Sequence, residues 1–436
     1  MEAGRRKGKR RGSMICSVSF PSITPLVLLL LVFIGNGTFS VSALKYTSTR
    51  RITSLGLARI QRHLEKINKP AVRSIESPDG DIIDCVHWHK QPALDHPLLK
   101  NHKIQRAAPQ RPAFRGGRRP ENYSAGGAAR GAWQTWHHVG HCPKGTVPIR
   151  RSSVDDVLRA KSLYHYGKKQ QPKVDAPDVD GGKGHEHAIA YTRNTEGIYG
   201  AKATINVWDP SVQTSGEFSL SQIWILSGSF NGSDLNSIEA GWQVSPEIYG
   251  DSSPRLFIYW TSDGYQATGC YNLLCSGFVQ INNKIAIGAA ISPVSSYEGS
   301  QYDITILIWK DPRLGDWWMS FGDSVLVGYW PAELFTHLSD HATLVEWGGE
   351  VVNTRPNGEH TFTQMGSGHF AEDGFGKASY FRNLEIVVDS GNRLSSARSI
   401  ATGAQNASCY DIMGFSNADW GIHFYYGGPG NNPRCR

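Results

Sequence analysis

The 436-residue sequence is short of charge: Asp, Glu, Lys and Arg together make up 19% of it. It also lacks the signatures that mark most hydrolases. There is no G-x-S-x-G turn, no H-E-x-x-H helix and no phosphate-binding glycine loop. The best-marked serine, zinc and nucleotide chemistries are thereby removed, although a serine site without such a turn stays open. No stretch after residue 43 is long and apolar enough to cross a bilayer. Cysteine is scarce too, with seven in all, and the pairing argued below leaves none spare for nucleophilic work.

The net charge of +7 conceals a division. Residues 1–180 carry 31 Lys and Arg against 13 Asp and Glu, whereas residues 181–436 carry 14 against 25. A basic front half usually points to nucleic acid, but here an acidic partner lies on the same chain. No nucleic-acid partner is therefore expected.

Residues 1–43 read as a targeting segment, with a basic run from Arg5 to Arg11, apolar residues Leu26 to Ile34, and small residues before Leu44. A cleaved signal is expected, with no stable membrane insertion afterwards. Cys16 leaves with it. Cys85, Cys142, Cys270, Cys275, Cys409 and Cys435 remain, an even number that allows fifteen connectivities. Their positions suggest the local pairs Cys85 with Cys142, Cys270 with Cys275, and Cys409 with Cys435. Asn122, Asn231 and Asn406 begin N-x-S/T sequons. His87, His89, His96 and His102 form no closed ligand set, and no metal or other cofactor is called for.

In the front half, Ile52, Leu55, Leu57, Ile60, Leu64 and Ile67 recur at helical spacing up to Pro70. A strand is expected over 82–89. Residues 105–131, rich in Arg, Gly, Pro and Ala, read as a flexible linker. A patch with Cys142 follows, and then a polar stretch to Asp180. From His185 the texture changes to short β-branched and aromatic runs separated by Gly, Asn, Asp and Pro. Some fourteen strands are expected, among them 285–291 and 362–365, with almost no helix. So many strands need both faces covered, which predicts an all-β antiparallel sandwich of two packed sheets over 181–436. A smaller mixed pro-segment, 44–180, precedes it.

The remaining chemical signal is carboxylate. Glu239 lies among Ile, Ala, Gly and Trp in "IEAGW", and Glu346 and Glu350 lie in "VEWGGEV". An acid with such neighbours loses hydration on folding, so it can hold a proton near working pH. Glu346 and Glu350 share a strand face, and Gly348 with Gly349 offers a place for substrate backbone. Glu333, Glu385 and Glu247 read as solvent-facing or turn residues. Of the thirteen Trp, ten follow residue 180, and those beside Gly, such as Trp242 and Trp347, are candidates for a ligand surface together with Tyr259. His185 and His187, at i and i+2, share one face of a strand.

The strings "DCVHWHKQPALDHPLLKNH", "FSLSQIWILSGS", "IEAGWQVSPEIYGD", "YWTSDGYQATGCYNLLCSGFVQ", "VEWGGEV" and "FYYGGPG" resemble the neprosin family of plant glutamic prolyl endopeptidases, over about 82–430. The resemblance implies a secreted zymogen, with an N-terminal segment acting as intramolecular inhibitor of an antiparallel β-sandwich. That sandwich would cleave proline-containing peptides after proline at acidic pH. Carried over by motif, the catalytic pair is Glu239 and Glu350, with Glu346 as a supporting hydrogen-bond partner. One glutamate, ionised, would activate water; the other, protonated, would polarise the carbonyl. The implied location is the extracellular space or apoplast, with the vacuole as alternative. Two other readings use the same residues differently: a silent glycan-binding sandwich with Trp platforms, and a two-carboxylate glycosidase.

Overall fold

A computed structural model describes residues 53–107, 109–114, 129–169, 184–230, 233–322, 324–388 and 391–436. The expected targeting segment, Asn122 and Asn231 lie outside them. Asn406, the remaining sequon, is half-buried at the end of a strand.

The β-branched and aromatic runs after residue 184 form two antiparallel layers. The first is a seven-stranded sheet made of β1 (His185–Ile198), β2 (Ser219–Ser227), β3 (Asn236–Val244), β4 (Arg255–Thr261), β5 (Cys270–Tyr271), β6 (Ala342–Val352) and β7 (Ala401–Ala404). Their order is β5-β4-β3-β2-β6-β1-β7, so β2 lies between the two acid-bearing strands β3 and β6. The second is an eleven-stranded sheet in which Gly200–Asn206, Gln301–Lys310, Trp317–Phe321 and Ser379–Val387 are central.

Side chains alternate along each strand, so one residue set of the first sheet faces the second sheet and the other faces outward. Ile223, Ile225, Ile238, Ala240, Val345 and Trp347 belong to the inward set and are fully buried in the main core. Polar links cross the same gap: Trp242 Nε1 donates to Asn206 O at 2.8 Å, and Ser221 and Tyr426 share a hydroxyl hydrogen bond.

The front segment packs on this sandwich, residues Ile52–Arg436 forming one compact unit. Thr53 caps the helix Ser54–Ile67 by accepting from Gly56 N at 3.1 Å. A three-stranded sheet of Ala71–Glu76, Ile82–His87 and Thr146–Arg150 follows, tied by the disulfide Cys85–Cys142. Cys270–Cys275 and Cys409–Cys435 are the other two pairs, so all three local pairings read from the cysteine positions are present.

Three expectations are corrected. Residues 105–131 are not a free linker at their ends. Ala113–Phe114 and Ala129–Gly131 run as parallel edge strands against Arg393–Ser396 and Gln301–Lys310, and Gln105 donates to Asp311 at 2.8 Å. No strand spans 285–291, because side chains take the backbone groups a ladder would use: Gln280 binds Ile285 O, and Gln134 binds both Ala286 N and Ala286 O. In 362–365, Phe362 N and Thr363 N likewise donate to the Gln213 and Thr361 side chains, Gln364 N donates to Ser211 O, and one bridge is kept at Met365.

Candidate active site

The outward face of the first sheet carries its acids in register. One cross-strand row reads Tyr271, Tyr259, Glu239, Trp224, Glu346, Tyr191. The next reads Gly241, Gln222, Gly348, Ile189, and the one after it Gln243, Leu220, Glu350, His187. Glu239 on β3 and Glu350 on β6 therefore share a face, two strands and two rows apart.

Glu239 is fully buried. Its Oε1 accepts from Ser237 Oγ at 2.6 Å and Tyr265 OH at 2.8 Å, and its Oε2 from Gln222 Nε2 at 3.2 Å and Lys169 Nζ at 2.7 Å. Lys169 is the one cation among these partners. Glu350, also buried, pairs through Oε1 with His185 Nδ1 at 2.5 Å. Its Oε2 has His187 Nε2 and Lys169 Nζ each at 3.9 Å, and no hydrogen bond. Burial pushes the Glu350 carboxyl up, but the Lys169 ammonium, the His185 hydrogen bond and the nearby His187 outweigh it and hold it far below the usual carboxylate range. Desolvation lowers Lys169, and the two glutamates more than reverse this, so the ammonium is firmly charged. His187 is held below its usual value by burial, against the pull of Glu350.

Lys169 arrives from the front segment. Ser153 and Asp156 form a reciprocal cap on the short helix Val154–Arg159, whose Arg159 donates to Glu247 O on the sandwich at 3.2 Å. Past it, Tyr271 N on the edge strand β5 donates to Gly167 O at 2.7 Å, and Lys169 N reaches Tyr259 OH at 3.4 Å. The segment thus lies on the sheet as an extra chain would, with its lysine inserted between the acids. A cavity of ≈ 310 Å³ beside it is lined by Lys169, His185, Phe218, Tyr271 and Leu274.

The remaining expected site residues divide. Tyr259 is on the site face beside Glu239. Glu346 is there as well but makes no hydrogen bond to either acid among the described residues, which corrects its supporting hydrogen-bond role. Burial, with added repulsion from Glu239 and Glu350 and against the pull of Arg193, raises its carboxyl to about 7. Trp242 and Trp347 are not ligand surfaces: strand alternation turns both into the core, where each is fully buried. Gly348 and Gly349 do not open a substrate shelf either. A Cβ on Gly348 would lie 2.2 Å from Ala188 O, and one on Gly349 2.7 Å from Met365 Cγ, so both serve close packing. Glu385 is buried and pairs with Lys202 at 3.1 Å rather than facing solvent.

Lys169, Gln222, Trp224, Ser237 and Tyr265 escaped the reading of the sequence. Gln222 and Trp224 become visible once β2 is set between β3 and β6, because alternation then puts them on the acid face. Lys169 sits in a polar stretch with no local pattern; only the opposite charge of the two halves hints at it.

Two buried carboxylates on one sheet face, bridged by a cation from a preceding segment of the same chain, define a closed acid–base site. The chain belongs to the neprosin family: residues 215–429 match the neprosin domain and residues 74–191 the neprosin activation peptide. Lys169 thus lies within the activation peptide and Glu239 and Glu350 within the neprosin domain. Among solved structures, the chain is similar to scytalido-glutamic peptidase with a peptide-based transition state analog, at 13% identity over 56% of this chain and 98% of that one, with a TM-score of 0.31. It is also similar to SCP-B, a member of the Eqolisin family of peptidases, in a complex with the tripeptide Ala-Ile-His, at 12% identity over 56% and 96% and a TM-score of 0.29.

Proposed function

We propose that the chain is the zymogen of a secreted glutamic endopeptidase that cleaves peptide bonds after proline at acidic pH. The observation that carries this reading is the sharing of the Lys169 ammonium by Glu239 and Glu350. Two buried acids need a counter-charge while latent, and they become a reactive pair when it leaves.

In the mature enzyme the two acids differ in what stays with them. With the cut placed between Lys169 and His185, Glu350 keeps His185 and His187 and is the ionised member, the base that takes a proton from water. Glu239 loses its cation and keeps only neutral partners, the Ser237 and Tyr265 hydroxyls and the Gln222 amide. It is the member that carries the shared proton and passes it to the carbonyl oxygen as the tetrahedral intermediate forms. The proton belongs to the pair, so both limbs of the pH profile are properties of the dyad. At acidic pH Glu346 is protonated and adds no third negative charge to the cleft. Tyr259, Tyr271, Phe218 and Leu274 supply an apolar wall suited to the rigid proline ring. Three disulfides agree with an oxidising compartment, the extracellular space or the vacuole. The glycan-binding alternative loses its support, since the Trp242 and Trp347 platforms it relied on are interior.

The test is incubation of the acid-treated full chain, with Glu239→Gln and Glu350→Gln as parallel variants, in a proteome-derived peptide mixture whose cut positions are read by mass spectrometry. Cuts after proline that disappear in both folded variants support the proposal. Cuts with no proline preference sink the specificity, and cleavage that survives either variant sinks the dyad.

A further inference from the structure

Three buried acceptor atoms on the site face have no donor among the described residues: Glu350 Oε2, Gln222 Oε1 and Gln243 Oε1. Gln222 is fully buried on β2, and its cross-strand partners are Gly241 on β3 and Gly348 on β6. It therefore occupies the row between those of the two glutamates, diagonal to Glu350, a spacing that long side chains bridge. Its amide is oriented by Glu239: a carboxylate oxygen accepts, so the NH2 group turns to Glu239 Oε2 at 3.2 Å and the carbonyl oxygen turns away. Gly241 makes the room, since a Cβ there would fall 1.9 Å from Ser221 O and 2.7 Å from Gln222 Cβ. A buried acceptor without a donor costs about 1–3 kcal/mol, and such costs gather at functional sites, where a water or substrate satisfies them. Gln243, one row further along the face, is also unpaired, but it makes no hydrogen bond to either acid.

We propose that Gln222 is the third catalytic residue of the site, its Oε1 and Glu350 Oε2 together holding the attacking water. The inference rests on the two-glutamate reading above. A water between these atoms donates one hydrogen to each, which leaves a lone pair free for the carbonyl carbon. As the oxygen–carbon bond forms, one water proton passes to Glu350 and the carbonyl electron pair moves to oxygen, which takes the proton of Glu239. The other water hydrogen stays bonded to Gln222. When the carbon–nitrogen bond breaks, Glu350 gives its proton to the departing amine and a hydroxyl of the intermediate returns one to Glu239. One water is consumed, and an acid and an amine are released. Gln222 Nε2 meanwhile keeps Glu239 in place, which explains why a glutamine rather than an apolar residue is buried between two glycines.

The test is kcat, KM and the pH profile of acid-treated Gln222→Leu and Gln222→Glu, with Glu350→Gln alongside. Gln222→Leu is expected to lower kcat by about 100-fold with KM changed less than about threefold, because the water and not the peptide loses its partner. Gln222→Glu keeps shape and acceptor and adds an ionisable group facing Glu239, Glu346, Glu350 and His187. Like charge favours protons on its neighbours, so its whole profile should move to higher pH. A residue that only fills space would not give the kcat-specific loss, while the displaced profile tests that position 222 faces the dyad. A folded Gln222→Leu with wild-type kcat overturns the proposal, and so does an unmoved Gln222→Glu profile, which decides the matter if the leucine variant does not fold. If Glu350→Gln itself cleaves normally, the fault lies with the two-glutamate reading instead.

Discussion

Lys169 Nζ lies 2.7 Å from Glu239 Oε2, and the lysine side chain is only 11% exposed. The contact joins the activation peptide to the acid that every proposed step uses. Removing one partner of a buried pair costs about 3–5 kcal/mol, because the other charge is stranded. Lys169→Met should therefore loosen the activation segment and leave the acids free to take protons. Expected is cleavage of a proline-containing quenched peptide by the unprocessed variant near pH 6, at least about tenfold above the unprocessed wild type. Equal rates would mean that latency resides elsewhere in the segment.

The same pair sets a pH dependence whose sign follows from Glu350. Its carboxyl is held far below the usual range, burial opposing and Lys169 with the histidines prevailing. A depressed acid stabilises the closed state above its free value of about 4.5, and this contribution is lost as pH falls through the lower, docked value. Acidification should thus weaken segment docking, and Lys169→Met should flatten that dependence. Hydrogen exchange of residues 160–169 at pH 7 and pH 4 reads it directly. Protection that is unchanged by acid in the wild type would contradict the linkage.

Glu346 titrates in the opposite sense. Burial and the neighbouring acids raise it to about 7. A raised acid contributes stability below its unfolded value of about 4.5 and loses it as pH climbs toward 7. Glu346→Gln removes that loss, so its unfolding midpoint should match the wild type at pH 4 and exceed it at pH 8. Cleavage at acidic pH should fall only a few-fold at most, because the protonated carboxyl and the amide are alike in shape and charge. A fall as deep as that of Glu350→Gln would make Glu346 a member of the reacting pair.

Most strands of the two sheets were legible because β-branched and aromatic residues alternate with small and polar ones between clear turn signals. Arg255–Thr261, Trp317–Phe321 and Val325–Trp330 have the bounds that pattern predicts. The strands Ala401–Ala404 and Asp411–Asn417 escaped it: the first is small and polar, the second carries Ile412, Met413 and Phe415 without regular alternation, and both are mostly exposed. At the site, the motif resemblance supplied both glutamates, and alternation then put Glu346 on their face. The same alternation carries Trp242 and Trp347 to the core, which flanking glycines cannot reveal. His185 and His187 were read as sharing a strand face, but their partner Glu350 comes from register alone. Lys169 lies 70 residues from Glu239 in sequence, and no local rule connects a lysine to an acid at that distance.

The docking of the basic segment on the acidic sandwich is not the diffuse attraction that the charge division suggests. Asp81 accepts from Arg150 Nε at 2.7 Å and also from Arg255 Nη1, which is fully buried on β4. Arg255 in turn donates to Asp251 Oδ2 at 2.5 Å and to Gly288 O at 2.9 Å. Arg150 and Arg159 share Asp156. Three arginines and three aspartates thus balance across the seam between activation peptide and neprosin domain. Salt screens exposed charges beyond a Debye length of about 3 Å at 1 M, but it screens buried pairs much less. The segment should therefore stay bound in 1 M sodium chloride at pH 7. Asp81→Asn leaves one positive charge unbalanced in the seam, at a cost of about 3–5 kcal/mol, and should lower the melting temperature of the full chain by roughly 5 °C or more. Release of the segment by salt alone, with Asp81→Asn as stable as wild type, would return the docking to long-range attraction.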